Sequence, residues 1–479
     1  MPPTYDSIYA GCLNEPKSTP PPFKKSVSIR ATLFFDGTNN NMANTQGRLD
    51  YDDWKRPNSK STKTDGATAY EKFSDKNLAD DFSGDSYTND FSNVVFLERM
   101  LKPGKEGCPD YDAYYSIYTS GTSTDDLKSD SSLMGGGWAI GGTGIESKVK
   151  MGLDELVKKI LSTSKAPDKT ISKLTIDTCG FSRGAAAARN VVYVILEDEK
   201  EKLATRLSAA GWTVNGCIEI DFVGLFDTVS HHGKHTPWSS GPGNDYAAMA
   251  DDVKVLHLDA IKVGKNVIQF SAADEFRHNF PLTTLEKSGK TQISIPGVHS
   301  DVGGSYRDNV NELNVKMLQV DPGKGYDAIR KRYDLELKRL VAEGWFKKDE
   351  PSKNALGEIV DKGNSIVLNR FSIRNTYSKI PLLLMKNHAE KALLVFNNVK
   401  VKVDVQSVID NEEILKKVWK LIGPLGNESW KTQPSIVQEL RHKHCHFNAH
   451  YDGGVGVNDP EWSGKDSWTG QRKRREYAG

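Results

Sequence analysis

The sequence is short of most features that would place a protein quickly. Its 479 residues carry a formal net charge of +1, with 64 Lys and Arg against 63 Asp and Glu. With no overall field to hold a polyanion, a nucleic-acid binder is disfavoured. No apolar run approaches the roughly 20 residues needed to span a bilayer. The first residues, MPPTYDSIYAGCLNEPKSTPPPFKK, hold no apolar core of the kind a Sec signal peptide needs. Only five cysteines occur, Cys12, Cys108, Cys179, Cys217 and Cys445, with no C-x-x-C pair. An odd number at wide spacing argues against a disulfide framework and reads as buried or idle thiols. Nucleotide loops are missing too. GGGWAIGGTG lacks both G-x-x-x-x-G-K-[ST] and G-x-G-x-x-G followed by an acid. DDFSGDSYTND does not fit a calcium loop.

What remains is an ordinary globular composition, 37% hydrophobic and 27% charged. Residues 1–27 are Pro-rich and polar and read as a loose arm. Strand-like runs then alternate with helical patterns: SVSIRATLFF, YYSIYTSGT, KLTIDTCGF, IEIDFVGLF, NVIQFSAAD and TQISIPG. Between the second and third, Leu153, Leu156, Val157, Ile160 and Leu161 share a helical face. This alternation predicts an α/β fold with a mostly parallel sheet and helices on both faces. The catalytic core is expected over 28–310, with a polar, irregular insertion at 40–92. Residues 311–479 are expected to form a helical and irregular region serving as a lid or as a membrane or partner contact. Within it, IPLLLMKNHAEKALLVF has the densest apolar face and is the expected membrane contact through Leu383 and Leu384. HHGKHTPWSSGPGNDYAAM, carrying Trp238, is the other cover candidate.

The chemistry concentrates in TCGFSRGAAAARN. A serine hydroxyl is a poor nucleophile at neutral pH and needs a base and an oxyanion site. A G-x-S-x-G elbow lifts the serine above a sheet edge, and its glycines allow strand and helix to approach. Gly180, Ser182 and Gly184 fit that pattern, with a strand before and a small-residue helix after. The chain order nucleophile, acid, histidine selects Asp227 in VGLFDTVS and His299 in SIPGVHSDVGG. Asp221 is the less apt acid because it lies inside the apolar run. His231, His232 and His278 are the rival bases. One oxyanion donor is expected at the backbone of Arg183, the other at Gly37 or Thr38 in FFDGTNN. HKHCHFNAH would put His442, His444 and His446 on one face of a strand, but no carboxylate or thiol pair stands at ligand spacing, so no metal and no cofactor is expected. The cluster Arg472, Lys473, Arg474 and Arg475 reads either as a lipid-attracting patch or as a disordered tail.

FFDGTNNN, GFSRGAAAAR, VGLFDTVS, DEFRHNFPL and PGVHSDVGGSY occur in this order. Together they resemble the DUF-type α/β-hydrolase family that includes the first class of bacterial type VI secretion lipase effectors. The resemblance implies an α/β-hydrolase fold and a triad of Ser182, Asp227 and His299. It implies phospholipase A action on a neighbouring bacterium's membrane. A spike protein of the secretion apparatus and a periplasmic immunity protein are the implied partners. A missing signal peptide then agrees with synthesis in the cytoplasm and delivery into a target's periplasm. A serine esterase of soluble esters or peptides, or a non-enzymatic module on the same fold, are the competing expectations.

Overall fold

The computed structural model describes residues 26–74, 85–130, 144–163, 168–230, 252–319, 326–346, 360–361, 365–397, 401, 404–449 and 472–479. GGGWAIGGTG up to residue 143, the segment 231–251 with His231, His232 and Trp238, and His450 lie outside the described residues.

Seven strands make the central sheet: β1 (Val27–Phe35), β2 (Ala113–Thr119), β3 (Thr170–Phe181), β4 (Thr213–Val214), β5 (Ile218–Phe226), β6 (Asn266–Ala272) and β8 (Thr291–Ile295). Their order is β2-β1-β3-β5-β6-β8, with β4 beside β3, and every pairing is parallel. A parallel sheet must be covered on both faces. Leu33 and Phe35 of β1 point into one core with Ile176 of β3, and Phe34 points into the other with Cys179 and Phe181. The chain leaves β1 for β2 and then returns to β3 on the other side of β1. That reversal makes a switch point at the carboxyl ends of β1 and β3, where such sheets receive ligands.

The insertion expected to be irregular holds two helices, α1 (Met42–Lys55) and α2 (Asp65–Phe73). Their caps explain them. The Asn41 side chain accepts from the N–H groups of Ala43 and Asn44, and Thr64 accepts from Ala67. The Tyr51 and Tyr70 rings then meet at 5.0 Å between the two helices. Helix α3 (Asn93–Met100) covers one face of the sheet. Helices α4 (Ile145–Leu161), α5 (Arg183–Leu196) and α6 (Leu203–Ala209) cover the other. Ile145, Val149, Leu153, Leu156 and Ile160 are the buried stripe of α4, while Leu161 lies outside it at 41% exposure.

The largest departure from the expectation lies beyond residue 310. Two further short helices, α7 (Asp252–Val255) and α8 (His299–Gly303), precede it. Strand β9 (Val310–Gln319) then pairs antiparallel with β11 (Ser365–Ile373), which takes up β10 (Val360–Asp361). Helices α9 (Tyr326–Glu343), α10 (Lys379–Lys391), α11 (Val405–Asp410), α12 (Glu413–Ile422) and α13 (Pro434–His444) follow. Ile380, Leu382, Leu383, Leu384 and Met385 of α10 are buried in the same core as Phe222 and Phe270 of the sheet. Burying each such side chain contributes about 1.5–3 kcal/mol. These leucines are core and not a membrane contact. Their stretch reads as amphipathic, but it is apolar because it closes a face of the sheet. The exposed part of that motif is its end, Leu393 at 69% and Val395 at 39%. No helix among the described residues is long and apolar enough to cross a membrane.

The arginine-rich tail is neither disordered nor a surface patch. Strand β12 (Glu476–Ala478) pairs parallel with β7 (Leu282–Thr284), and Arg472 and Arg474 are buried among acidic partners. Cys108, Cys179 and Cys445 are buried free thiols, as expected. Cys217 is not idle: it is disulfide-bonded, and its partner lies outside the described residues. The first part of the histidine run is helical where a strand was expected, and His446 lies past the helix end. His442 and His444 lie in the last turn of α13, which starts at Pro434.

Candidate active site

Gly180 is the second-last residue of β3, and the chain turns at Ser182 straight into α5. Ser182 has φ 59° and ψ −125°, a conformation that costs a non-glycine residue about 1–3 kcal/mol. Both flanking glycines are required by contact. A Cβ on Gly180 would lie 2.2 Å from the Gly184 carbonyl oxygen, and one on Gly184 would lie 2.2 Å from the Asp36 carbonyl oxygen. The alanines after the elbow, Ala185 to Ala188, are buried and let α5 approach the sheet.

The turn is tied to the next strand. The Ser182 N–H donates to the Phe226 carbonyl at 3.0 Å, and the Val229 N–H donates to the Ser182 carbonyl at 3.3 Å. Asp227, directly after β5, also sits in the left-handed region at φ 46°. Its N–H donates to Phe270, and its Oδ1 accepts from the Ala272 N–H at 2.9 Å. Each strand end is therefore stitched to its neighbour, which carries Ser182, Asp227 and the loop after β6 along one edge.

His299 opens α8, four residues beyond the end of β8. Its Nδ1 lies 2.5 Å from Asp227 Oδ2. The ring packs between Phe181 at 4.6 Å and Phe280 at 4.8 Å. The His299 backbone N–H donates to Glu275 Oε2 at 3.1 Å, and Glu275 also takes the Arg277 guanidinium and the Asn448 amide. Burial pulls the His299 imidazole below its ordinary value of 6.5, although the hydrogen bond and charge of Asp227 oppose this. Burial pushes the Asp227 carboxyl up, but the Arg474 charge and the His299 bond outweigh it and hold it well below the usual carboxylate range. Burial likewise opposes ionisation of Glu275, and Arg277 overrides it to hold Glu275 at about 2.

The expected oxyanion loop lies where β1 ends. The Gly37 N–H donates to its neighbour Asp36 Oδ1 at 2.8 Å. Asp36 is buried, accepts from Ser92 and Tyr118, and is pushed up to about 6 by that burial. The Thr38 hydroxyl meets that of Thr122 at 2.9 Å. Arg183 begins α5, so its backbone lies at a helix amino end, and its side chain is buried.

The rival residues separate clearly. Asp221 lies inside β5, away from its carboxyl end, in an ion pair with Arg30. His278 lies in the loop after β6 but is not the histidine on Asp227. His446 pairs with Asp301 at 2.7 Å, and His444 meets Thr376. Among the described residues no group of three His, Cys, Asp or Glu is placed to hold a metal ion. The sequence did not reveal the place of Arg474 and Glu275 in this site. The motif DEFRHNFPL does contain Glu275 and Arg277, and their E-x-R spacing was the one available signal.

A mostly parallel sheet with a serine elbow, and with an aspartate and a histidine on the following strand ends, has the layout of the α/β-hydrolase class. The likeness to known proteins is narrower than that class. Residues 196–321, which include Asp227 and His299 and begin after Ser182, match the family model of the T6SS phospholipase effector Tle1-like catalytic domain. The family the chain resembles is thus that of the Tle1-like type VI secretion phospholipase effectors. The fold is similar to that of a Tle1 effector solved bound to the VgrG spike of a type 6 secretion system, with a TM-score of 0.51 and 23% identity over 89% of this chain and 85% of that one. An uncharacterized protein from Pseudomonas aeruginosa overlaps more loosely, at a TM-score of 0.40 and 17% identity over 91% of this chain and 54% of the other. No curated protein sequence matches the chain.

Proposed function

We propose that the protein is a serine-dependent lipolytic hydrolase that cleaves acyl ester bonds of membrane phospholipids. The observation that carries this reading is the buried His299–Asp227 pair at 2.5 Å on the same sheet edge as the strained Ser182 elbow. In the proposed reaction His299 Nε2 takes the Ser182 hydroxyl proton as Oγ attacks the ester carbonyl. Asp227 holds Nδ1–H and favours the imidazolium that forms. The proton then passes to the leaving alcohol, and water repeats the sequence on the acyl-serine. The developing oxyanion accepts from the Arg183 N–H and from the β1 loop. Because the Gly37 N–H is engaged by Asp36, Thr38 is the donor assigned on that loop.

The family match supports the lipid as substrate, and the Tle1 effector on its spike supports delivery by a type VI system with a VgrG-type spike as partner. The target is then a neighbouring cell's periplasm, and a periplasmic immunity protein would guard the producer. The deciding experiment is mass spectrometry of phospholipid vesicles after incubation with the wild type and with Ser182→Ala. Release of fatty acid and lysolipid by the wild type alone is expected. Hydrolysis that survives Ser182→Ala would overturn the assignment, and activity confined to soluble esters would move it to the esterase reading. Expression directed to the periplasm should be toxic, and expression kept in the cytoplasm should not.

A further inference from the structure

Asp227 has more partners than a triad acid needs. Its Oδ1 accepts from the Ala272 N–H and from Arg474 Nη1 at 2.6 Å, and its Oδ2 meets His299 Nδ1 and accepts from Arg474 Nη2 at 2.9 Å. Both oxygens are occupied, so the carboxylate cannot rotate without breaking two charge-assisted bonds. Arg474 is itself held. Its Nε donates to the Phe280 carbonyl at 2.9 Å, beside the ring that packs on His299. The next residue, Arg475, gives its carbonyl to the Leu282 N–H at 2.9 Å, and Glu476–Ala478 continue as β12 along β7. A strand 247 residues away in sequence thus delivers a guanidinium to the carboxylate.

We propose that Arg474 is a positioning residue of the active site, and that strand β12 is a strap which completes the catalytic constellation from outside the core sequence. The inference rests on the reading of Ser182, Asp227 and His299 as the triad. Its physical content is charge balance. The charged groups beside the imidazole and the strap are Asp227 from the end of β5, Glu275 and Arg277 from the loop after β6, Asp301 from α8, Glu476 on β12 itself, and Glu336 of α9, which is paired with Arg472. Asp301 is paired with His446, and Glu476 lies on the open side of the strand. Around His299 the two carboxylates Asp227 and Glu275 are matched by the two guanidiniums Arg474 and Arg277. A neutral imidazole therefore sits in a neutral surround. Removing Arg474 leaves one uncompensated negative charge, which favours the imidazolium and disarms the base. It also frees Asp227 to turn away from Nδ1.

Arg474→Gln and Arg474→Lys should be compared with the wild type and Ser182→Ala on a short soluble ester, following kcat, KM, pH dependence and melting temperature. For Arg474→Gln, kcat should fall on the order of 10²-fold with KM within about twofold, since misplacing one catalytic group costs that much. The acid limb of its pH profile should move to higher pH. Arg474→Lys should keep the wild-type acid limb, because the charge stays, and recover part of kcat. If Arg474→Gln does not fold, Arg474→Lys decides: reduced kcat at an unmoved acid limb supports the strap, and wild-type kcat overturns it. An Arg474→Gln protein that folds and loses rate with no change of pH profile also overturns it. A Ser182→Ala protein that still turns over sinks the triad reading itself. A dead Ser182→Ala beside a wild-type-like Arg474→Gln sinks only the strap.

Discussion

Two buried arginine–aspartate clusters lie on this sheet, one within its strands and one at their carboxyl edge. Within the strands Arg30 of β1 grips Asp177 of β3 with two bonds of 2.8 and 2.9 Å and reaches Asp221 of β5. At the carboxyl edge Arg474 grips Asp227 with two bonds of 2.6 and 2.9 Å. The pairs are alike in chemistry and burial, yet they answer different needs. Asp177 sits within a regular strand, its oxygens closed off by Arg30, Thr32 and the Phe222 N–H, and burial raises its pKa. Asp227 sits in a left-handed turn, gives one oxygen to a histidine, and is held well below the usual range. Arg30 comes from the neighbouring strand, two residues before the Thr32 that stands opposite Asp177, whereas Arg474 comes from a separate strap. The first cluster joins three strands. The second keeps a carboxylate ionised and aimed.

The comparison predicts that only the second cluster reports on catalysis. Ser182→Ala, Asp227→Asn and His299→Ala should each leave a folded protein with kcat/KM lower by roughly 10³-fold or more. Their effects should be far from additive, which a double variant measures directly. A His299→Ala enzyme with near wild-type turnover would erase the distinction between the two clusters.

Asp177→Asn should do the reverse. Breaking a buried pair costs about 3–5 kcal/mol, visible in chemical denaturation, while the pH profile of the remaining folded enzyme should keep its shape. A shifted profile would mean that the mid-strand cluster talks to the site.

Acid should separate the clusters as well. The His299 pKa is depressed below 6.5, so the neutral base persists and the acid limb of kcat/KM should fall below that value. For stability the signs agree. Below 6.5 the unfolded chain binds the His299 proton more readily than the fold does, so stability declines as pH falls. Glu275, held at about 2 against an ordinary 4.5, adds stability above 4.5 that is lost on the way down to about 2. Asp227 acts in the same direction. Activity measured against melting temperature from pH 8 to 4 should show both falling, and an acid limb above 6.5 would contradict the burial of His299.

The smallest contrast lies on α10 and the turn that follows it. Leu384→Asp puts a charge into the core and should lower the melting temperature and every activity together. Leu393→Asp, at a residue 69% exposed, should stay within about 0.5 kcal/mol of wild-type stability. Selective loss of vesicle hydrolysis in Leu393→Asp, with the soluble ester spared, would mark that tip as a lipid contact.

The sequence by itself determined the alternation of strands and helices, the elbow at Ser182, and the candidates Asp227 and His299. These signals are local: a period of apolar residues, glycines where backbones touch, and polar groups just past strand ends. Caps at Asn41 and Thr64 were equally local, but a polar stretch hid the helices that they start. Only the tertiary structure decided that Leu382–Leu384 close a sheet face, because amphipathicity looks the same for a core helix and for a surface one. Only it brought Arg474 onto Asp227. That contact depends on where a three-residue strand docks, and nothing in a run of basic residues records which carboxylate, hundreds of residues earlier, will lie beneath it.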